Sequence, residues 1–306
     1  MSRLYSSSNH FKYSIAGLII EFVADGDLNM EVPEFYREFI INDGTPDLSL
    51  KVHYDLPPQL DLETRSFNEG VSYDFHRSDG KLVINVTSPY YGYIPYRRMI
   101  IDADFKHGDL YFRPLFSESG NPIPIIEEDK LRIQPLEIFD RILFILLLNR
   151  KHGVMMHGCG VVVNGEGILF TGISGSGKST MANLWKKREN ATIIGDESII
   201  VRQIDGHFWM YGTPWYSSAK IASPLGAPLK RVLSIKHSAE NYIMPLKGSD
   251  AVATLMAQSF SDYWEHSSLM YILGLLNDII EHLPCHELGF VPNESVLEYF
   301  DNTKIL

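Results

Sequence analysis

Residues Gly172 to Ser179 read Gly-Ile-Ser-Gly-Ser-Gly-Lys-Ser, a complete G-x-x-x-x-G-K-S pattern. The apolar run Gly167 to Thr171 precedes it, and the helix-like stretch Thr180 to Lys187 follows. Strand, glycine loop and helix in that order constrain this chain more than any other feature. Glycines let the backbone curl until its N–H groups converge on phosphate oxygens, and a helix start adds unpaired N–H groups and a favourable dipole. The pattern makes Gly172, Ser174, Gly175, Ser176, Gly177, Lys178, Ser179 and Thr180 the candidate nucleotide-binding residues. Lys178 is placed to reach the β- and γ-phosphates, and the Ser179 hydroxyl to ligate Mg²⁺.

The surrounding composition is that of an ordinary globular protein. The chain has 306 residues, 45% hydrophobic and 21% charged, enough for two domains. A net charge of -11 argues against nucleic acid as a direct partner. The two cysteines, Cys159 and Cys285, suggest no disulfide framework and fit a reducing cytoplasm. The first ten residues lack an apolar signal core. The longest apolar runs, 138–148 and 269–280, are short for a bilayer and carry Asp140, Arg141, Asn277 and Asp278, so no membrane partner is expected.

Residues 1–130 read as a β-rich domain suited to recognising a substrate or partner. Phe11 to Phe22 and Leu48 to Tyr54 alternate apolar with polar residues. Val71 to Phe75 and Lys81 to Val86 flank a turn at Ser78-Asp79-Gly80, and Met99 to Phe105 and Leu110 to Arg113 flank another at 106–109. Asp102, Asp104 and Asp109 read as the wet face and turn of that hairpin rather than a metal cluster. Tyr90, Tyr91, Tyr93 and Tyr96, set among Pro89, Pro95, Arg97 and Arg98, read as packed turn aromatics rather than a docking surface. Glu118 to Gln134, with the acidic run at 126–130, reads as a solvated linker. The helix Leu136 to Arg150, apolar around most of its circumference and closed by Gly153, suits burial between the two halves.

A second domain, 131–306, changes to short apolar strands: Val154 to Met156, Gly160 to Val163, Ile168 to Thr171 and Thr192 to Asp196. Ser198 to Arg202 and His207 to Tyr211 form a hairpin around Asp205-Gly206, and Arg231 to Lys236 is a further strand. Helices are expected over 249–260, 267–282 and from Asn293, with a strand at His286 to Phe290. His282, Cys285 and His286 have ligand-like spacing, but only three lie together across a helix-to-strand turn, which argues against zinc.

A phosphate loop needs an acid to hold the metal or take a proton. Asp196 and Glu197 stand at a strand end, with Asp196 18 residues past Lys178. One suits Mg²⁺ and the other the proton of an attacking hydroxyl, in an order left open. Adjacent strand residues point to opposite sides, so one of the two can be structural. His157, 21 residues before Lys178, falls near the phosphates if the strands pair, where it could tune the acids or bind a phosphoryl oxygen. The candidate catalytic set is therefore Asp196, Glu197, His157 and Lys178, and the candidate metal ligands are Ser179, Asp196 and Glu197.

Met156-His157-Gly-Cys159, the glycine loop and Ile194-Gly195-Asp196-Glu197 together resemble the catalytic domain of HPr kinase/phosphorylase. They also resemble the nucleotide-binding core of ATP-dependent phosphoenolpyruvate carboxykinase. Gly212 to Trp215, Ser223 to Leu229 and Pro284 to Phe290 are similar to HPr-kinase-like proteins of unassigned substrate, some of which accompany peptide-modifying gene clusters. The likeness spans about residues 136–300. It implies an α/β, or α+β mixed-sheet, P-loop domain beside the β-rich one. It also implies ATP and Mg²⁺ as cofactors and γ-phosphoryl transfer to a hydroxyl of a protein, peptide or small molecule, with serine favoured. A homo-oligomer is left open. Lys220, Lys230 and Arg231 become candidates for steadying the transferred phosphate. Departures restrict what carries over: Thr180 stands where HPr kinases have Glu, and Glu197 where they have a second Asp. Nothing here resembles their N-terminal half or the C-terminal segment used for dephosphorylation. Nucleotide binding carries over, while HPr as the acceptor does not. Two alternatives stand beside a kinase: a non-catalytic ATP-binding regulator, and a carboxykinase-like enzyme, whose substrate-binding arginine motifs are not recognisable.

Overall fold

Alternation of buried and half-buried residues builds the N-terminal sheet. In the computed structural model, which describes residues 4–26, 28–68, 73–87, 95–114, 126–127, 130–133, 135–261 and 265–303, the chain divides into units Met1–Asp140 and Arg141–Leu306. The division falls ten residues later than the sequence boundary at 130.

The first unit holds β1 (Leu4–Ser8), β2 (His10–Ile15), β3 (Leu18–Ala24), β4 (Asn29–Pro33), a 3-10 helix (Glu34–Phe39) and β5 (Ile40–Ile41). Then come β6 (Leu48–His53), β7 (Glu63–Asn68), β8 (Tyr73–Ser78), β9 (Lys81–Val86), β10 (Arg97–Ile101), β11 (His107–Phe112), β12 (Ile126–Glu127) and β13 (Lys130–Ile133). Nine of these form one sheet in the order β5-β2-β3-β6-β11-β10-β9-β8-β7, with β6 parallel to both its neighbours. A second sheet runs β1-β4-β13-β12.

Three readings of this half need correction. Phe11 to Phe22 is two strands, not one: Ala16 and Gly17 take φ of 55° and 77° and turn the chain between β2 and β3. The strand read to Phe105 stops at Ile101, because Asp102 and Asp104 bond the turn amides of Phe105 and Lys106. Described parts of the 118–134 linker are the strands β12 and β13, the latter parallel to β4. Asp102, Asp104 and Asp109 each take a different partner: Lys81, the Lys106 amide and His53. Residues 71 and 72, Pro89, Tyr90, Tyr91 and Tyr93 lie outside the described residues. The helix α1 (Leu136–Leu148) follows, with Phe139, Leu143, Phe144 and Leu146 to Leu148 buried.

The second unit contains β14 (Val154–Val163), β15 (Glu166–Thr171), α2 (Lys178–Trp185), β16 (Ala191–Gly195), β17 (Ser198–Ile204), β18 (His207–Tyr211) and β19 (Gly226–His237). It closes with β20 (Tyr242–Pro245), α3 (Gly248–Met256), β21 (Ser259–Phe260), α4 (His266–His282), β22 (Cys285–Phe290) and α5 (Ser295–Thr303). The two strands expected before the glycine loop are one, β14. Its first half pairs with β17 and β21, and its second half with β15 and β16. Gly158 and Gly160 permit that change of partner: a Cβ on either would come within 2.8 Å of Leu169, or of Ile194 and Ile199. Likewise β19 pairs antiparallel with β18 at its start and parallel with β15 and β22 further on.

Alternating strand residues feed two cores on opposite faces of this mixed sheet. Leu169 and Val232 pack with Leu255 of α3 and Ile272, Leu275, Leu276 and Ile279 of α4. Phe170 and Leu233 pack with Met181, Leu184 and Trp185 of α2 and Val296 and Phe300 of α5. Trp185, fully buried, contacts Phe300 at 5.4 Å between ring centroids, and Arg188 ties α2 to α5 by bonding both Asp301 oxygens at 2.8 and 2.6 Å. Among the described residues no helix is long and apolar enough to cross a membrane. Truncating Trp185 to Ala is expected to destabilise this unit by about 3–5 kcal/mol, read as a lower denaturant midpoint for the transition that melts α2 and α5.

Candidate functional site

Thr171 ends β15, and the chain turns sharply at Gly172 (φ 154°), Gly175 (φ 80°) and Gly177 (φ 100°) before entering α2 at Lys178. Gly177 is required twice over. Its φ is left-handed, and a Cβ would lie 2.5 Å from the Phe290 ring and 3.0 Å from His237. At Gly175 the same test meets nothing within 4 Å, so the loop backbone is open to a ligand there. Lys178 is 6% exposed and folds back on the loop, donating from Nζ to the carbonyls of Gly172 (2.6 Å) and Ile173 (2.9 Å). Burial lowers its pKa, with Glu197 and Cys159 pulling the other way.

A cavity of about 370 Å³ opens above the loop, near the lower end for small-ligand sites. Ser174, Gly175, Gly177, Lys178, Ser179 and Thr180 form one wall, and His157, Asp196 and Glu197 another. Ser217, Ser218 and His237 complete it. Two expected loop residues sit behind the wall: Gly172 gives its carbonyl to Lys178, and the Ser176 hydroxyl is buried without a bonding partner. The open face at Gly175 and the lysine held on weak carbonyl acceptors suit a phosphate. Phosphate would offer stronger acceptors than the loop's own carbonyls. Ser179 and Glu197 supply the hard oxygen donors that Mg²⁺ takes.

Asp196 and Glu197 fall in the bend between β16 and β17 rather than within a strand, and both line the cavity. Asp196 is 1% exposed, and its carboxylate accepts from Ser217 Oγ (2.8 Å), Ser217 N (3.2 Å), Ala219 N (2.8 Å) and Ile221 N (3.4 Å). It therefore holds the loop 217–221 in place. Glu197 is half-buried, and its backbone carbonyl accepts from Gly158 N (3.1 Å) and meets His157 Nδ1 at 3.0 Å. Its carboxylate stands 3.6 Å from the same ring nitrogen. Burial, then the Lys178 charge, press the His157 pKa below its ordinary value, against the opposing pull of Glu197. The buried Cys159 thiol beneath is pushed up by burial and by Asp196.

None of Lys220, Lys230 and Arg231 lines the cavity. Arg231 pairs with Ile168 early in β15, away from the loop end of that strand, and acts instead on Cys285 and His286. Sequence reasoning missed Ser217, Ser218 and His237. The first two lie in a breaker-rich loop with no periodic signal. His237 ends β19, parallel to β15 and stacked on Phe290 at 5.2 Å, a position that only strand order reveals.

A family described as SynChlorMet cassette protein ScmC matches residues 126–273, a span that includes every residue lining the cavity. No curated protein matches the chain. Among solved structures, the Hpr(Ser) kinase/phosphatase from Coxiella burnetii is a weak likeness, with a TM-score of 0.27 and 9% identity over 49% of this chain and 92% of that one.

Two outcomes are expected. Asp196→Ala removes the acceptor of the Ser217, Ala219 and Ile221 amides, so their hydrogen exchange should speed at least tenfold, since a bond to a charged group contributes about 1.5–3 kcal/mol. Because the folded state resists protonating His157, its share of stability is full above pH about 6.5 and is lost as pH falls below that value. His157→Gln should flatten the slope of urea midpoint against pH in that acid window.

Proposed function

We propose that the protein is an ATP-dependent, HPr-kinase-like phosphotransferase that moves a γ-phosphoryl group to a hydroxyl, serine being the favoured acceptor. The supporting observation is convergence: His157 from within β14, Asp196 and Glu197 from the bend between β16 and β17, and Lys178 and Ser179 from the start of α2 line a single cavity. In this reading the P-loop backbone and Lys178 would hold the triphosphate, and Mg²⁺ would neutralise part of its charge. Ser179 and Glu197 are the residues to hold the metal, since Glu197 acts electrostatically on Lys178 and keeps its carboxylate free of the 217–221 loop. Asp196 is the base, because its buried carboxylate already accepts a hydroxyl proton donor at 2.8 Å. Neutral His157 sits between Glu197 and Lys178 without adding positive charge at pH 7. The β-rich first unit would select the acceptor, and the description of the matched family as a cassette protein points the search to products of the same cassette.

Lys178→Ala should lower transfer of label from γ-labelled ATP by on the order of 10²-fold or more, measured on lysate fractions with Mg²⁺. Wild-type transfer by that variant would overturn the assignment. Asp196→Asn should bind ATP yet transfer no phosphoryl group; retained transfer would move the base role to Glu197.

A further inference from the structure

Among the described residues, Ser217 is the side chain that donates a hydroxyl to the Asp196 carboxylate. Its Oγ donates to Asp196 Oδ2 at 2.8 Å, within the 2.6–3.2 Å reach of a working base. The same carboxylate accepts from Ser217 N and Ala219 N, so the hydroxyl is fixed from both sides of its own loop. Ser217 also lines the cavity that contains Lys178 and Glu197. Ser218 lines that cavity as well, but is not a partner of Asp196. A hydroxyl tethered in this way needs no encounter with a second molecule.

We propose that Ser217 is an internal phosphoryl acceptor, modified by the chain's own site from a nucleoside triphosphate; this rests on the transferase reading above. In the step, Ser217 Oγ bonds to the γ-phosphorus while the bond from that phosphorus to the β–γ bridging oxygen breaks. The hydroxyl proton passes to Asp196 Oδ2, and the nucleoside diphosphate leaves. The product sets a phosphate of about -1.5 to -2 charge against the Asp196 carboxylate. Repulsion then breaks the bonds that pin 217–221 and releases the loop from the cavity wall. Self-modification is thereby a switch on access to Asp196 by any other acceptor.

The test uses the full chain with Mg²⁺ and ATP, followed by peptide mass mapping, with binding of a non-hydrolysable ATP analogue measured on the same preparation. One phosphoryl group is expected on the Ser217 peptide, at a rate per chain independent of protein concentration. Ser217→Ala should lose it, and Ser217→Thr should carry phosphothreonine. Faster hydrogen exchange across 217–221 should accompany the modification. Analogue binding with no phosphoryl group on Ser217, equal labelling of Ser217→Ala, or a rate proportional to chain concentration would overturn the proposal alone. Failure of the analogue to bind at all would overturn the transferase reading together with it.

Discussion

The hydrogen bond from Gly158 N to the Glu197 carbonyl is the joint on which the second unit turns. It lies where β14 changes partners, between the half paired with β17 and the half paired with β15 and β16. Because Gly158 and Gly160 carry no side chain, neighbouring strands close in on both edges there. Thr171 Oγ1 then bonds the His157 carbonyl at 2.9 Å, which brings the end of β15, and so the glycine loop, beside the acid pair. Larger residues at 158 or 160 would push these strand ends apart, and with them the cavity walls.

Charge balance inside that joint follows from burial. A lysine, a histidine and two carboxylates share a small volume, and Asp196 and Lys178 are nearly inaccessible to water. The lysine satisfies itself on neutral carbonyls and the aspartate on backbone amides and a hydroxyl. Neither forms a direct ion pair with the other. Each is held by neutral groups of its own chain, so the cavity walls are organised by backbone and hydroxyl hydrogen bonds rather than by an ion pair.

Much of this was legible in the chain. Strand, glycine loop and helix around residues 167–185 follow from local rules, as do the hairpins at Asp79-Gly80 and Asp205-Gly206, where both residues take positive φ. His157, Lys178, Asp196 and Glu197 were singled out by spacing from the loop, and all four line the cavity. The failures were long-range or fine-grained. Ala16-Gly17 is a weak turn signal inside an otherwise perfect alternation, so two strands read as one. Strands β12 and β13 hide in a polar run, because a two- or four-residue strand is fixed by its partner β4 rather than by its own pattern.

What the sequence determined by itself is the strand, glycine loop and helix around Lys178, since glycine freedom, a lysine and a helix start are local properties of successive residues. Tertiary structure alone decided how the acids divide. Asp196 and Glu197 are adjacent and chemically alike, and only the return of the chain at 217–221 supplies the donors that bury one carboxylate and leave the other beside His157. The same return put Ser217 against Asp196, a contact across 21 residues of sequence that no periodicity encodes. Cationic residues show the converse: Arg231 reads as a phosphate neighbour in sequence, yet its strand register carries it away from the loop, because position along a parallel strand sets which end of the sheet a side chain serves.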